Sequence, residues 1–168
     1  IGFIRTDLRE EVFIPGNFKS VVNTQLATTL GSGPYTIGTI EHLMAAFHGM
    51  GIDNATVRVD GPEVPVLDGS SAPFCEAFER AGIQSLNSAR PYLRLKRKVE
   101  VRVGEKWAVA EPADQFELHA SVDWDHPVIG FQDFHYCEGK THFSEIASSR
   151  TFGFLKDVEA LRRMGLAQ

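Results

Sequence analysis

The sequence has few cysteines and no long apolar run, and each absence narrows the class of protein it can encode. Its 168 residues include two cysteines, Cys75 and Cys137, which form no Cys-x-x-Cys pair and are too few for a disulfide scaffold. We therefore expect a reducing compartment. No apolar run approaches the roughly 20 residues of a transmembrane helix, so the sequence predicts neither a membrane span nor a secretory leader.

The sequence also lacks an excess of positive charge. Its 17 basic and 22 acidic residues give a net charge of −5, and the basic residues are scattered except at 94–102. A nucleic-acid-binding domain usually carries a basic patch or stripe, so we expect no nucleic-acid partner. The hydrophobic content of 43% is ordinary for a globular protein, and the chain is long enough to bury its own core.

Two catalytic motifs are incomplete in this sequence. The glycines at 31 and 33 precede a helical pattern, but no Gly-Lys-Ser/Thr ending follows, so we interpret them as turn residues and not as a phosphate-binding loop. Ser70 and Ser71 lie outside any Gly-x-Ser-x-Gly sequence. We therefore expect these serines to cap a helix and not to act as nucleophiles.

The order of the predicted elements indicates an α+β fold. Hydrophobic periodicity predicts strands at 2–8, 21–30, 35–37, 54–60, 116–124 and 131–136, and a hairpin at 92–110. It predicts helices at 39–51, 143–149 and 155–164, and a further helix that runs from the turn at 68–71 to Gly82. The stretch at 88–91 ends in proline and predicts a linker between a first domain, residues 1–87, and a second, residues 92–168.

The strongest strand pattern is at 116–124, where apolar and polar residues alternate without a break. The apolar set is predicted to point inward: Phe116, Leu118, Ala120, Val122 and Trp124. His119 and Asp123 share the opposite face, but four residues of strand separate them by roughly 13 Å, too far to bind one metal ion. We therefore expect these two side chains to be solvated.

The helix predicted at 39–51 carries the main candidate site. Its apolar face is formed at helical spacing by Ile40, Leu43, Met44, Phe47 and Met50. Thr39 is the predicted cap and Gly51 the predicted left-handed end. Glu41 and His42 lie in the first turn, off the apolar face. An imidazole can bind zinc, and a neighbouring carboxylate can take a proton from an attacking water.

A structural explanation of the Glu41–His42 pair competes with the catalytic one. The helix dipole alone favours glutamate in a first turn, and a single histidine is more often a surface or core residue than a ligand. The pair also lacks the second ligand of His-Glu-x-x-His. His48 does not supply that ligand, because six residues place it about 240° further round the helix.

Several separate motifs resemble the UDP-3-O-acyl-N-acetylglucosamine deacetylase family. They are Thr-Ile-Glu-His-Leu at 39–43, Gly-Ile-Asp-Asn at 51–54, the stretch Asp-Gly-Pro-Glu-Val-Pro-Val-Leu-Asp-Gly-Ser-Ser-Ala-Pro-Phe at 60–74, and Arg-Thr-Phe-Gly-Phe at 150–154. Arg-Thr-Asp-Leu at 5–8 and Asp-His-Pro at 125–127 fit the same register. The resemblance extends over essentially the whole chain, in order.

This resemblance implies a cytoplasmic zinc amidase that removes acetate from UDP-3-O-(3-hydroxyacyl)-N-acetylglucosamine during lipid A synthesis in Gram-negative bacteria. It implies two related domains, each with a sheet packed on helices, and a monomer. His42 is implied as a zinc ligand and Glu41 as the general base. Thr151 is implied as a donor to the oxyanion and Phe152 as a contact of the sugar. Asp68 is a candidate partner that orients His42.

The sequence departs from the family at the remaining ligands. The family takes two further zinc ligands from a His-Lys-x-x-Asp element, which does not occur here, and catalytic zinc normally needs three protein ligands. We therefore expect an internal fragment that lacks both ends and is inactive alone. Two alternatives remain open: a non-catalytic relative that binds a sugar nucleotide or acyl chain, and an unrelated α+β domain with a chance Glu-His pair.

Overall fold

The computed structural model describes residues 1–155 and 162–163. Its described residues form two compact units, the first made of Ile1–Ser85 with the segment that begins at Ile146, and the second of Leu86–Glu145. The predicted domains at 1–87 and 92–168, with their linker at 88–91, stay a prediction. Most of the helix predicted at 155–164 lies outside the described residues.

The first unit combines short strands with two helices, which confirms the α+β class. Its elements are β1 (Gly2–Arg5), β2 (Val12–Pro15), β3 (Val21–Asn23), β4 (Thr29–Ser32), β5 (Tyr35–Ile37), α1 (Glu41–Gly49), β6 (Thr56–Val59) and α2 (Ala72–Ala81). One sheet has the order β2-β1-β6, with β1 antiparallel to β2 and parallel to β6. The other is the antiparallel meander β3-β4-β5.

The core of the first unit lies between these sheets and the helices. Its buried side chains are Phe3, Ile14, Leu30, Ile37, Ile40, Leu43, Phe47, Val59 and Val64. The rings of Phe47 on α1 and Phe78 on α2 stack with centroids 4.9 Å apart. Because Ile40 and Leu43 are buried in this core, the first turn of α1 is held in place on both sides of Glu41 and His42.

The start of α1 differs from the prediction. Thr39 does not cap the helix, because its φ of 56° is left-handed and its hydroxyl donates to the carboxylate of Glu63 instead. Ile40 occupies the cap position, without a side-chain hydrogen bond. Gly51, with φ of 69°, is left-handed as predicted.

Two strands of the first unit differ from their predicted bounds. The strand predicted at 2–8 ends at Arg5, and β2 was not predicted. The strand predicted at 21–30 divides into β3 and β4, which enclose a loop at 24–28. That loop contains neither glycine nor proline, the usual signals of a chain reversal, so the sequence pattern did not reveal it.

The second unit consists mainly of two hairpins. Its elements are β7 (Val99–Val103), β8 (Lys106–Ala110), β9 (Glu117–Trp124) and β10 (Gly130–Cys137), and α3 (Ser144–Ala147) follows in the chain. The hairpin predicted at 92–110 is confirmed around Gly104, which has φ of 60°, but its first strand begins at Val99 and not at Tyr92. The strand predicted at 131–136 is confirmed as β10, paired with β9.

The predicted burial of β9 is wrong. The side chains predicted to point inward are exposed, with 48% of Leu118, 47% of Val122 and 42% of Trp124 accessible. Among the described strands, β9 pairs with β10 alone, and a two-stranded ribbon has no second layer of its own to cover an apolar face. As a separate point, every helix in the described part of the chain is too short or too polar to cross a lipid bilayer.

Candidate functional site

Glu41 begins α1, and its carboxylate is held by a loop from the neighbouring sheet. The backbone N–H of Thr28 donates a hydrogen bond to Oε1 of Glu41. Thr28 ends the loop between β3 and β4, thirteen residues before Glu41. A carboxylate near a helix start is also favoured by the helix dipole. The side chain is exposed, so the bond from Thr28 fixes its direction while leaving it accessible.

His42 follows in the same turn and is half-buried. Its Nδ1 atom is buried and makes no hydrogen bond. Buried polar atoms without a partner are uncommon in proteins, and a metal or catalytic role is one explanation for such an atom. The imidazole therefore fits the role of one metal ligand. The described residues contain no group of three or more His, Cys, Asp or Glu side chains that could hold a metal ion, so they do not form a complete site.

Asp68 lies in a tight turn, and one of its carboxylate oxygens is hydrogen-bonded within that turn. Its Oδ1 accepts hydrogen bonds from the backbone N–H of Ser70 at 3.0 Å and from the Ser70 hydroxyl at 2.8 Å. Its Oδ2 lies 3.9 Å from Nε of Arg150. The Ser70 hydrogen bonds, together with the charge of Arg150, hold the pKa of the Asp68 carboxyl below its usual value.

Among the described residues, Asp68 makes no hydrogen bond to Nδ1 of His42, and no other described group bonds to that atom. Aspartate in an Asp-Gly-Ser turn bonds readily to the backbone two residues on, and that local bond is the one observed. Asp68 is thus part of the turn before α2, whose first residue, Ala72, donates its N–H to the Ser70 hydroxyl at 3.2 Å. Ser70 therefore supports the helix start as predicted, whereas Ser71 occupies the cap position without a side-chain hydrogen bond.

Thr151 is brought to the Asp68 turn although 82 residues separate them in sequence. Its backbone N–H donates to the carbonyl of Gly69 at 2.8 Å. Phe152 is 49% exposed and its ring meets that of Phe154 edge-on, with centroids 5.6 Å apart. Thr151 makes no hydrogen bond to Glu41 or His42 in the residues described, so the candidate side chains form two groups within the first unit, one at α1 and one at the Asp68 turn.

Backbone strain lies next to both groups. Three residues other than glycine have a left-handed φ in the described ranges: Leu26 at 64°, Thr39 at 56° and Leu67 at 55°. Leu26 precedes Thr28 by two residues, Thr39 precedes Glu41 by two, and Leu67 precedes Asp68. Such conformations cost about 1–3 kcal/mol each and cluster at functional sites. Their positions independently support both groups as functional.

Comparison with known proteins identifies the family. The family model described as LpxC, UDP-3-O-acyl N-acetylglycosamine deacetylase, matches residues 1–168. The chain belongs to this deacetylase family. It is 48% identical over 169 residues to the UDP-3-O-acyl-N-acetylglucosamine deacetylase of Myxococcus xanthus (strain DK1622), covering 100% of this chain and 54% of that protein.

Other members of the deacetylase family give the same result. The relative from Acidithiobacillus ferrooxidans (strain ATCC 53993 / BNL-5-31) is 43% identical over 99% of this chain and 56% of its own length. That from Helicobacter pylori (strain J99 / ATCC 700824) is 42% identical over 100% of this chain and 57% of its own length. Both carry the same deacetylase name. The chain spans about half the length of the curated relatives it matches.

Three contacts at the candidate site were not predicted from the sequence. Thr28, which bonds to Glu41, and Arg150, which pairs with Asp68, were not predicted as site residues. The contact of Gly69 with Thr151 was missed as well. Each contact joins elements that are distant in the chain, and local periodicity holds no signal for such contacts. The resemblance to the deacetylase motif at 150–154 was the one available signal for Arg150.

Proposed function

We propose that the complete gene product is a zinc-dependent deacetylase that hydrolyses the acetamide of UDP-3-O-(3-hydroxyacyl)-N-acetylglucosamine in lipid A synthesis. The observation that carries this proposal is the match of the whole chain to a family whose curated members bear that name. The held carboxylate of Glu41 beside a half-buried imidazole supports it. A Gram-negative source, a cytoplasmic location, a monomeric state and a UDP-sugar substrate with its acyl chain belong to the same proposal.

His42 would be one of the zinc ligands. Its buried and unbonded Nδ1 leaves the ring without a competing partner, and the burial of Ile40 and Leu43 fixes the turn that carries it. The remaining ligands would come from outside the described residues, because catalytic zinc takes about three protein ligands. When bound, zinc polarises a carbonyl and lowers the pKa of a coordinated water.

Glu41 would take the proton from the attacking water. A general base must be held within hydrogen-bond reach of that proton in a defined orientation. The bond from the Thr28 N–H engages Oε1 and so orients the second carboxylate oxygen. Because the side chain is exposed, substrate and water can reach it.

Thr151 and Phe152 would act on the substrate. The Thr151 hydroxyl would donate to the oxyanion that develops when water attacks the acetamide carbonyl. Removing a donor of this kind typically costs about 10²–10³ in kcat. Phe152 is half-exposed and its ring packs against that of Phe154, and the exposed part of the Phe152 ring would lie against the sugar.

The direct test replaces the two side chains in the first turn of α1. In the complete gene product, we expect Glu41→Gln to lower kcat by about 10²-fold or more, the range seen for general-base catalysis. We expect His42→Ala to lose most of the activity, because catalytic zinc normally needs three protein ligands. His48→Ala is the matched control, because His48 is exposed in the last turn of the same helix. Full activity in either first-turn variant would refute the assigned roles.

Metal analysis separates catalysis from the non-catalytic alternative. We expect about one zinc ion per complete chain and a loss of that zinc in His42→Ala. A zinc-free protein that still binds the nucleotide sugar by calorimetry would instead be a binding module. A protein that binds neither zinc nor the nucleotide sugar would share only the fold with the deacetylase family.

The Thr28 contact gives a second test. Thr28→Pro removes the N–H that bonds to Glu41, whereas Thr28→Ala keeps it. We expect the proline variant to lose roughly 10- to 100-fold in kcat, since hydrogen bonds to charged groups are worth about 1.5–3 kcal/mol. The alanine variant should stay within about threefold of the wild type, and equal activities would show that the Thr28 bond does not orient the base.

A further inference from the structure

The turn at 68–71 is joined to the segment at 147–151 by two backbone hydrogen bonds. The N–H of Thr151 donates to the carbonyl of Gly69 at 2.8 Å, and the N–H of Ser71 donates to the carbonyl of Ala147 at 3.0 Å. We call this contact the turn junction. Both segments belong to the first compact unit. The position of Thr151 therefore depends on the shape of a turn that is remote in sequence.

The Asp68 side chain determines that shape. Its Oδ1 accepts from both the N–H and the hydroxyl of Ser70, at 3.0 and 2.8 Å, and so closes the turn around Gly69. Ser70 is fully buried. A closed turn fixes the direction of the peptide group between its ends. Here that peptide group includes the Gly69 carbonyl, which accepts the hydrogen bond from the Thr151 N–H.

The backbone on either side of Asp68 is unusual, which agrees with a demanding geometry. Leu67 has a left-handed φ of 55°, a conformation that non-glycine residues adopt at a cost of about 1–3 kcal/mol. Gly69 has φ of 83°, and a Cβ added there would lie 3.5 Å from Cγ2 of Thr151. The backbone of the turn thus lies directly against the Thr151 side chain.

Arg150 adds a weaker link to the same carboxylate. Its Nε lies 3.9 Å from Oδ2 of Asp68, and both side chains are substantially exposed. An exposed ion pair of this length contributes little by itself. The Ser70 hydrogen bonds are therefore the principal contacts of Asp68 and the Arg150 pair is secondary.

We propose that Asp68 is a positioning residue for Thr151, acting through the Ser70-closed turn and the carbonyl of Gly69, and that it does not orient His42. This proposal rests on the proposed function, in which Thr151 donates to the oxyanion. It differs from an orienting role at the metal ligand because Oδ1 of Asp68 is hydrogen-bonded to Ser70, while Nδ1 of His42 has no hydrogen-bond partner among the described residues.

The first measurement does not depend on enzymatic activity. Hydrogen–deuterium exchange in the complete gene product should be roughly tenfold faster at the Thr151 amide in Asp68→Ala than in wild type, because the turn that holds its acceptor opens. Exchange in the first turns of α1 should not change. Asp68→Asn keeps a carbonyl oxygen for Ser70 and should restore protection to within about threefold. Asp60→Ala, an exposed aspartate in the same unit, is the control.

The second measurement links the turn junction to chemistry. Asp68→Ala should lower kcat roughly tenfold with little change in KM, a part of the roughly 10²–10³ lost when an oxyanion donor is removed. In a Thr151→Ala background the same substitution should change kcat less than about twofold, because residues acting through one group are not additive. Zinc affinity, measured by chelator competition, should be unchanged.

The outcomes separate this proposal from the proposed function. Unchanged exchange at Thr151 in Asp68→Ala overturns the positioning role whether or not the protein is an enzyme. A kcat effect that persists in the Thr151→Ala background, or a weaker zinc affinity, would place Asp68 at His42 and overturn it as well. If exchange rises as expected but the wild type hydrolyses no substrate, the proposed function fails while the structural link between Asp68 and Thr151 stands.

Discussion

The two compact units follow similar sequence patterns but bury very different amounts of apolar surface. In the described residues, nearly all fully buried hydrophobic side chains belong to the first unit, and Tyr136 and Cys137 are the two that belong to the second. The second unit instead exposes valines, tryptophans and phenylalanines along both hairpins. Phe3 of the first unit is completely buried, whereas Phe131 of the second is 64% exposed.

This difference shows what an alternating pattern does and does not predict. Alternation determines which side chains share a face of a strand, because successive side chains point to opposite sides. Burial requires a second element on that face. In the first unit, helices and a second sheet cover the apolar face of β1, whereas β9 and β10 pair only with each other in the part of the chain that the structure describes. The same sequence signal therefore leads to a core in one unit and to an exposed apolar face in the other.

The largest expected effect tests this contrast with one substitution made in each unit. Phe3→Ala should destabilise the first unit by about 3–5 kcal/mol, the usual cost of removing a buried phenylalanine. Phe131→Ala should change stability by less than about 0.5 kcal/mol, as for most exposed positions. Amide exchange of β1 peptides reports on the first unit. Tryptophan fluorescence reports on the second, because Trp107 and Trp124 both lie there.

If Phe131→Ala lowered the free energy of unfolding as much as Phe3→Ala, the predicted contrast between the two units would be wrong. Such a loss would show that the apolar face of β10 is covered in solution. Concentration dependence of that loss would point to contact between copies of the chain. A loss independent of concentration would indicate cover from within the same chain.

Local elements were the most predictable part of the fold. The helix from the 68–71 turn to Gly82, the hairpin at 92–110 and β10 agree with the patterns that predicted them, because helix caps, glycine turns and alternation act within a few residues. The family and the α+β class also followed from the sequence. Thr39 failed as a cap because its hydroxyl found a partner, Glu63, that is distant in sequence.

The sequence motifs indicate candidate site residues, but they do not indicate the contacts that those residues make. The motif at 39–43 indicated Glu41 and His42, and the motif at 150–154 indicated Thr151. The Thr28 bond to Glu41 and the Gly69 bond to Thr151 depend on the tertiary fold, so neither follows from periodicity. Asp68 illustrates the difference, since the motif at 60–74 indicates this residue as a candidate partner of His42, whereas the hydrogen bonds that its Oδ1 accepts come from Ser70.

The next prediction compares one ion pair from each unit. In the first unit, buried Arg5 makes a two-point contact with Asp7, at 2.7 and 2.6 Å, and also donates to the carbonyl of Thr36 on β5. In the second, exposed Lys98 pairs with Glu111 at 2.7 Å. Arg5→Ala should cost about 2 kcal/mol, because hydrogen bonds to charged groups contribute about 1.5–3 kcal/mol. Lys98→Ala should cost less than about 1 kcal/mol.

Urea unfolding monitored by amide exchange in each unit measures both effects. Arg5→Lys serves as a further control, since lysine keeps the charge but cannot form the planar two-point contact. It should recover only part of the lost stability. Equal losses for Arg5→Ala and Lys98→Ala would mean that the contact between β1 and β5 through Arg5 contributes nothing beyond a surface pair.

The smallest expected effect is on acid stability. The hydrogen bonds from Arg5 lower the pKa of Asp7 below its ordinary value of 3.8, so Asp7 stabilises the folded state above that value. This contribution is lost as the pH falls through the lower, folded-state pKa, and the first unit should weaken below about pH 4. Asp7→Asn should be less stable than wild type at neutral pH and should lose less on acidification.

Glu117 provides the matched acid in the second unit. Hydrogen bonds from Gln115 and then His135 lower its pKa below the ordinary 4.5, so the sign of its pH dependence is the same. Its partners lie on the surface, however, and Glu117→Gln should alter the acid profile less than Asp7→Asn does. Acid titrations followed by exchange in β1 and by tryptophan fluorescence compare the two units. A larger change for Glu117→Gln would mean that the exposed hairpin, and not the buried core, depends more strongly on its charges.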